Sequence, residues 1–255
     1  MISHAMINGR SHRLMQQNSH DFAISGSPRP GTAYGLVLDG CGSKYNRQPS
    51  NNEVGAKLLG QFAAAWLNKQ LAVSHEQLAM DDLLVGLFDG CLGFIGQAVD
   101  SVPFTDEDAR AAFVMTHWLA TLVGFVVVGE TAVLFWQGDG YLCVNGDVTT
   151  LDSGNRPDYL AYRLLRTGEE VKGRTGEKIT PSPFQPFTPS FVTVNRANTH
   201  WLAVATDGWQ PELLAQLAEP RSSLHLQRWL NVQARQSGNF EDDGAIAIWR
   251  LAANC

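Results

Sequence analysis

Apolar and polar positions along the 255-residue chain change rhythm several times, and each change predicts an element. Short apolar runs at 22–25 and 34–38 predict strands, and after a polar loop at 43–52 apolar residues recur at helical spacing over 53–70. A second helix is predicted over 75–99. The runs 119–128, 132–137 and 141–151 carry a sheet signal, with Asn145-Gly146 as a turn. Residues 157–165 read as helical, with Pro157 at an early position. Past an irregular stretch at 167–190, strands are predicted at 191–195 and 201–206, helices at 210–218 and 222–236, and a last strand at 244–251. Strands, long helices, strands, helices and a strand follow in that order, unlike the regular alternation of a doubly wound parallel sheet. The expectation is an α+β fold of mostly antiparallel sheets with helices on their outer faces.

One segment invites a membrane reading, because 111–129 carries no formal charge over close to the roughly 20 residues of a spanning helix. Thr116, His117 and Thr121 interrupt it, no basic cluster flanks it, and its β-branched second half stops at Gly129-Glu130 before another apolar run. Two buried strands joined by a hairpin account for it better, so no membrane partner is expected. Residues 1–15 contain no apolar stretch of the seven or so residues that a signal peptide's centre needs, which points to the cytoplasm.

Composition narrows the picture further. A hydrophobic share of 44%, with 24 Gly and 11 Pro and no repeat or polar linker, suits one large globular domain or two small ones, and the continuity of the pattern favours a single domain over 1–255. A net charge of -6 has the wrong sign for neutralising a phosphate backbone, so nucleic acid is not the expected partner. Cys41, Cys91, Cys143 and Cys255 lie far apart, without the spacing of a zinc knuckle or a disulfide framework.

Nucleotide and nucleophile motifs are missing: there is no GxSxG elbow, HExxH helix or GxGxxG, and 26–32 has the glycine spacing of a phosphate loop but Thr32 in place of its lysine. What remains is a set of aspartates where apolar strands meet turns: Asp39-Gly40, Asp139-Gly140, Asp207-Gly208 and Asp242-Asp243-Gly244. Any single Asp-Gly pair is ordinary turn chemistry. Several carboxylates at the ends of neighbouring buried strands repel one another unless a cation sits among them, and hard oxygen ligands select Mg²⁺ or Mn²⁺.

At these residues the sequence resembles the metal-dependent protein phosphatases of type 2C, the PPM family, especially its divergent bacterial branch. Gly9-Arg10-Ser11-His12 followed by Asn18-Ser19-His20-Asp21-Phe22-Ala23 is similar to that branch's opening. Asp39-Gly40 with Glu53-Val54-Gly55-Ala56, then Ala120-Thr121-Leu122, Gly138-Asp139-Gly140, Ala205-Thr206-Asp207-Gly208 and Asp242-Asp243-Gly244 resemble the family's later motifs in family order.

The resemblance implies a four-layer α-β-β-α sandwich of two antiparallel sheets flanked by helices, with two Mn²⁺ or Mg²⁺ ions at one end. By position, Asp39 would bridge the ions, the Gly40 carbonyl would bind one of them, Asp207 and Asp242 would complete the other, and Asp139 would support a third. Asp21 would orient water, and water activated by two dications would attack a phosphoserine or phosphothreonine of a protein substrate in line. The segment 167–190 falls where the family carries a variable flap. The chain also departs from the pattern. His20 stands where members usually have Glu or Gln, Cys41 stands where animal members have a histidine, and the phosphate-binding arginine has no aligned match, leaving Arg10, His12 or Arg13 as substitutes. Adjacent strand residues face opposite ways, so only one of Asp242 and Asp243 can be the main ligand, and register favours Asp242. The favoured expectation is an active hydrolase; the alternatives are a catalytically weak relative that binds a phosphorylated partner and a metal-free scaffold. Oligomeric state is not legible.

Overall fold

Strands buried on both faces give continuous apolar runs, and the inner strands of this chain's sheets are of that kind. The structure is a computed structural model describing residues 1–42, 49–73, 79–154, 157–165, 171–172, 178–179 and 189–251. Its first half runs β1 (Ile2–Ile7), α1 (Arg10–Met15), β2 (Asp21–Gly26), β3 (Thr32–Asp39), α2 (Asn52–Ala72), α3 (Met80–Asp100), α4 (Glu107–His117), β4 (Leu122–Val128) and β5 (Thr131–Gln137). Then follow β6 (Gly140–Val144), β7 (Asp147–Leu151), a 3-10 turn (Leu160–Leu164), and the two-residue strands β8 (Val171–Lys172) and β9 (Lys178–Ile179). The chain closes with β10 (Ser190–Asn195), β11 (Trp201–Ala205), α5 (Pro211–Ala215), α6 (Ser223–Gln233) and β12 (Gly244–Arg250).

Two five-stranded sheets result, in the orders β1-β12-β11-β6-β7 and β10-β5-β4-β3-β2, with antiparallel neighbours throughout. Three apolar layers hold the sandwich together. Between the sheets lie Val37, Val123, Phe125, Val127, Leu202, Val204 and Ala247. On the outer face of the β3-containing sheet, Leu36, Leu38, Leu122 and Val126 pack against Leu59, Leu67, Leu84 and Phe88 of α2 and α3. On the other outer face, Ala203, Ile246 and Ile248 meet Trp209, Leu213, Leu226 and Leu230. Consecutive residues such as Leu36 and Val37 therefore serve different layers, each buried leucine or valine contributing about 1.5–3 kcal/mol. The α2 helix lies close on its sheet because Gly60 has no side chain; a Cβ there would stand 2.5 Å from the Phe22 ring.

The four-layer sandwich agrees with the expected architecture, and several local expectations are corrected. The uncharged segment 111–129 is not all strand: its first half belongs to α4, whose N-cap Asp106 accepts the Ala109 N–H at 2.8 Å, and only from Leu122 does β4 begin, joined to β5 by the Gly129-Glu130 turn. The acidic run Asp106-Glu107-Asp108 was the sequence signal for that start. The expected helix at 157–165 contracts to the 3-10 turn, and the edge strand β1 and the short α1 carry too little periodicity to stand out. The start of the expected second helix at 75–78 lies outside the described residues, as does most of the expected flap at 167–190. By length and composition α3 could cross a membrane, yet Leu83, Leu84, Leu87, Phe88, Cys91, Ile95 and Val99 are buried inside the protein.

Candidate functional site

Strand pairing puts the first two carboxylates together. Asp21 is directly opposite Asp39 in the β2–β3 ladder, and side chains of directly paired residues share a face. Asp21 is only 2% exposed, and its Oδ2 accepts a 2.5 Å hydrogen bond from the Thr206 hydroxyl, which itself accepts the Ala245 N–H at 2.9 Å. Burial, then the charge of Asp39, pushes the Asp21 carboxyl well above the usual carboxylate range.

Just beyond β3 the backbone is pinned from three sides. The Asp39 N–H donates to the Thr121 hydroxyl at 3.0 Å, the Thr121 N–H returns to the Asp39 carbonyl at 2.9 Å, and the Gly40 N–H donates to the His20 carbonyl at 3.1 Å. Among the described residues, no hydrogen bond reaches the Gly40 carbonyl. The fully buried Asn52, at the start of α2, donates to the carbonyls of Cys41 (2.9 Å) and Met115 (3.3 Å) and accepts the Leu119 N–H (3.0 Å). A side chain at position 40 would be 2.7 Å from the Asn52 carbonyl oxygen, so glycine is what lets helix and loop meet.

The opposite sheet brings the remaining aspartates to the same end. Asp207 follows β11 and Asp242 precedes its antiparallel neighbour β12, while Asp139 lies in the turn by which the chain passes from β5 in one sheet to β6 in the other. Their proximity is electrostatic as well as topological. Burial, then the charge of Asp207, with smaller contributions from Asp242 and Asp139, raises Asp39 to about 8. Burial of the carboxyl, then Asp139 and Asp242, raises Asp207 to about 6. Ser153 donates to Asp139 at 3.1 Å.

Asp243 faces the other way from Asp242 and is buried at 3% exposure, whereas Asp242 is exposed. Its carboxylate accepts the N–H groups of Gly9 and His20, both at 2.6 Å, and pairs with His12 Nδ1 at 2.7 Å. Neighbouring residues thus divide the work: Asp243 fastens the amino-terminal segment and the entry to β2, leaving Asp242 to face the acidic group. Two of the three candidates for a phosphate contact are engaged elsewhere. His12 is held by Asp243, and the Arg13 guanidinium donates to the carbonyls of Asn8 (2.7 Å) and Ala234 (3.0 Å), where it closes the end of α6. Arg10 is exposed and lies 3.5 Å from Glu241. Asn52 and Asp243 are structural supports that residue type alone did not distinguish from loop polarity.

Among the described residues, no three His, Cys, Asp or Glu side chains stand in ligand geometry about one point. Like charges without a counter-charge spread apart. The donor chemistry nevertheless fits a hard dication: several carboxylates and a carbonyl without a hydrogen bond among the described residues, with burial and neighbouring charges raising Asp39 and Asp207.

A family model described as protein phosphatase 2C matches residues 8–242. Among curated proteins, no sequence matches. Among solved structures, the serine/threonine phosphatase Stp1 from Staphylococcus aureus is similar at a TM-score of 0.62 and 12% identity, covering 99% of this chain and 95% of that one. The serine/threonine phosphatase PstP/Ppp of Mycobacterium tuberculosis gives 0.60 at 16% identity, with 99% of each chain covered. The catalytic domain of PstP in complex with two manganese ions gives 0.57 at 17% identity, covering 97% and 96%. At such identities these likenesses speak for the fold.

Proposed function

This chain belongs to the protein phosphatase 2C family, and we propose from that premise that it hydrolyses phosphoserine and phosphothreonine in protein substrates with the help of divalent cations. The observation that carries the reading is the convergence of Asp39, Asp139, Asp207 and Asp242 from two sheets and the turn between them, close enough that their charges help raise Asp39 and Asp207. In this reading Asp39, the Gly40 carbonyl, Asp207 and Asp242 would hold two Mn²⁺ or Mg²⁺ ions, and Asp139 would hold a third more weakly. When bound, such ions acidify water and screen the phosphoryl oxygens.

The chain's own residues do the rest. The Thr206 hydroxyl fixes the Asp21 carboxyl, which stands opposite Asp39 in the β2–β3 ladder. Thr121 fixes the Asp39 backbone, and Asn52 fixes the Gly40-Cys41 peptide by its bond to the Cys41 carbonyl. No cysteine or serine nucleophile is needed for direct attack by water.

The test is hydrolysis of a phosphoserine peptide with Mn²⁺ or Mg²⁺ and with chelator. Turnover that requires the ion and is lost on chelation is expected; full activity in metal-free protein would refute the reading. A second reading, a weakly active relative that binds a phosphorylated partner, is favoured by the absence of ligand geometry among the described carboxylates. Metal-independent phosphopeptide binding without turnover would decide for it.

A further inference from the structure

The site contains one carboxylate that the reading above does not use. Glu53 lies in the first turn of α2, directly after Asn52, and its backbone nitrogen is 3.0 Å from where a side chain at position 40 would begin. Its Oε2 is shut off from solvent and has no hydrogen-bond partner among the described residues. A carboxylate oxygen in that condition costs several kcal/mol unless a cation or a donor meets it. His20 lies beside the same loop, its Nδ1 3.2 Å from where a side chain at position 42 would begin, and its ring is 4.6 Å from that of His12. Glu53 thus brings a buried carboxylate oxygen without a described partner to the Gly40 end of the acidic group.

We propose that Glu53 is part of the ion-binding shell at the Gly40 end of this site, meeting the cation directly or through its water. The proposal rests on the metal-dependent reading above. A Glu53→Gln exchange keeps the shape of the side chain and removes the unpartnered carboxylate. Metal-free Glu53→Gln should therefore melt at the same temperature as the parent protein or higher, while a purely structural glutamate would lower it. Mn²⁺ titration by calorimetry should show the affinity reduced by about tenfold or more, as for other residues that support a metal site, and the Mn²⁺-induced rise in melting temperature should shrink with it. Asp39→Asn is titrated in parallel. If the parent protein takes up no Mn²⁺, or Asp39→Asn binds it as the parent does, the site reading fails and the proposal with it. If Asp39→Asn loses the ions but Glu53→Gln binds them like the parent, only the role of Glu53 is overturned.

Discussion

Replacing Asp243 by alanine should unfold the protein far more readily than replacing its neighbour Asp242, although both are aspartates one bond apart. The Asp243 carboxylate receives two backbone N–H groups at 2.6 Å, from Gly9 and His20, and His12 Nδ1 at 2.7 Å, while the residue is only 3% exposed. Alanine leaves those donors without a partner, and each buried unpaired donor costs about 1–3 kcal/mol. Allowing for water at the partly open His12 side, the total is about 3–5 kcal/mol, comparable to breaking a buried ion pair. Asparagine keeps the volume but turns an amide N–H₂ toward a donor, so Asp243→Asn should lose about 1–3 kcal/mol. Asp242 is exposed, and Asp242→Ala should stay within about 0.5 kcal/mol in metal-free protein. Urea unfolding reads all three, provided the slope with denaturant is unchanged. An Asp243→Ala midpoint corresponding to a loss below about 1 kcal/mol would refute the clamp.

Asp39 and Asp207 are raised to about 8 and about 6, so the folded protein holds protons that the unfolded chain has released. Metal-free protein should accordingly lose stability as pH rises from the ordinary carboxylate range to about 8, and Mn²⁺ should raise the melting temperature most at the upper end of that window. Asp39→Asn should lower phosphopeptide turnover by about a hundredfold or more, while Cys41→Ser should be nearly silent; steady-state kinetics on the two variants checks both. Thr206→Val removes the donor to Asp21 and the acceptor of the Ala245 N–H, which should cost about 1–3 kcal/mol in the same urea assay.

The apolar runs by themselves determined where most strands lie, because a strand covered on both faces must be apolar at nearly every position. The same property hid which face each residue serves. Nothing in Leu36-Val37-Leu38 says that the leucines meet α2 and α3 while the valine meets the opposite sheet. Turn glycines after Asp39, Asp139 and Asp207 and before β12 likewise marked the ends of buried strands, and that sufficed to single out the acidic residues. Their convergence depends on contacts between distant segments: the register that sets Asp21 against Asp39, the β11–β12 pairing that brings Asp207 and Asp242 to one end, and the β5–β6 turn that carries Asp139 between sheets. The division between Asp242 and Asp243 was equally a tertiary decision, since two adjacent aspartates before Gly244 are alike in composition and only the donors of Gly9, His12 and His20 distinguish them. Local propensity acts over a few residues, whereas a carboxylate's role is set by charges and donors that arrive from more than two hundred residues away, as Asp243 meets His12 across a separation of 231.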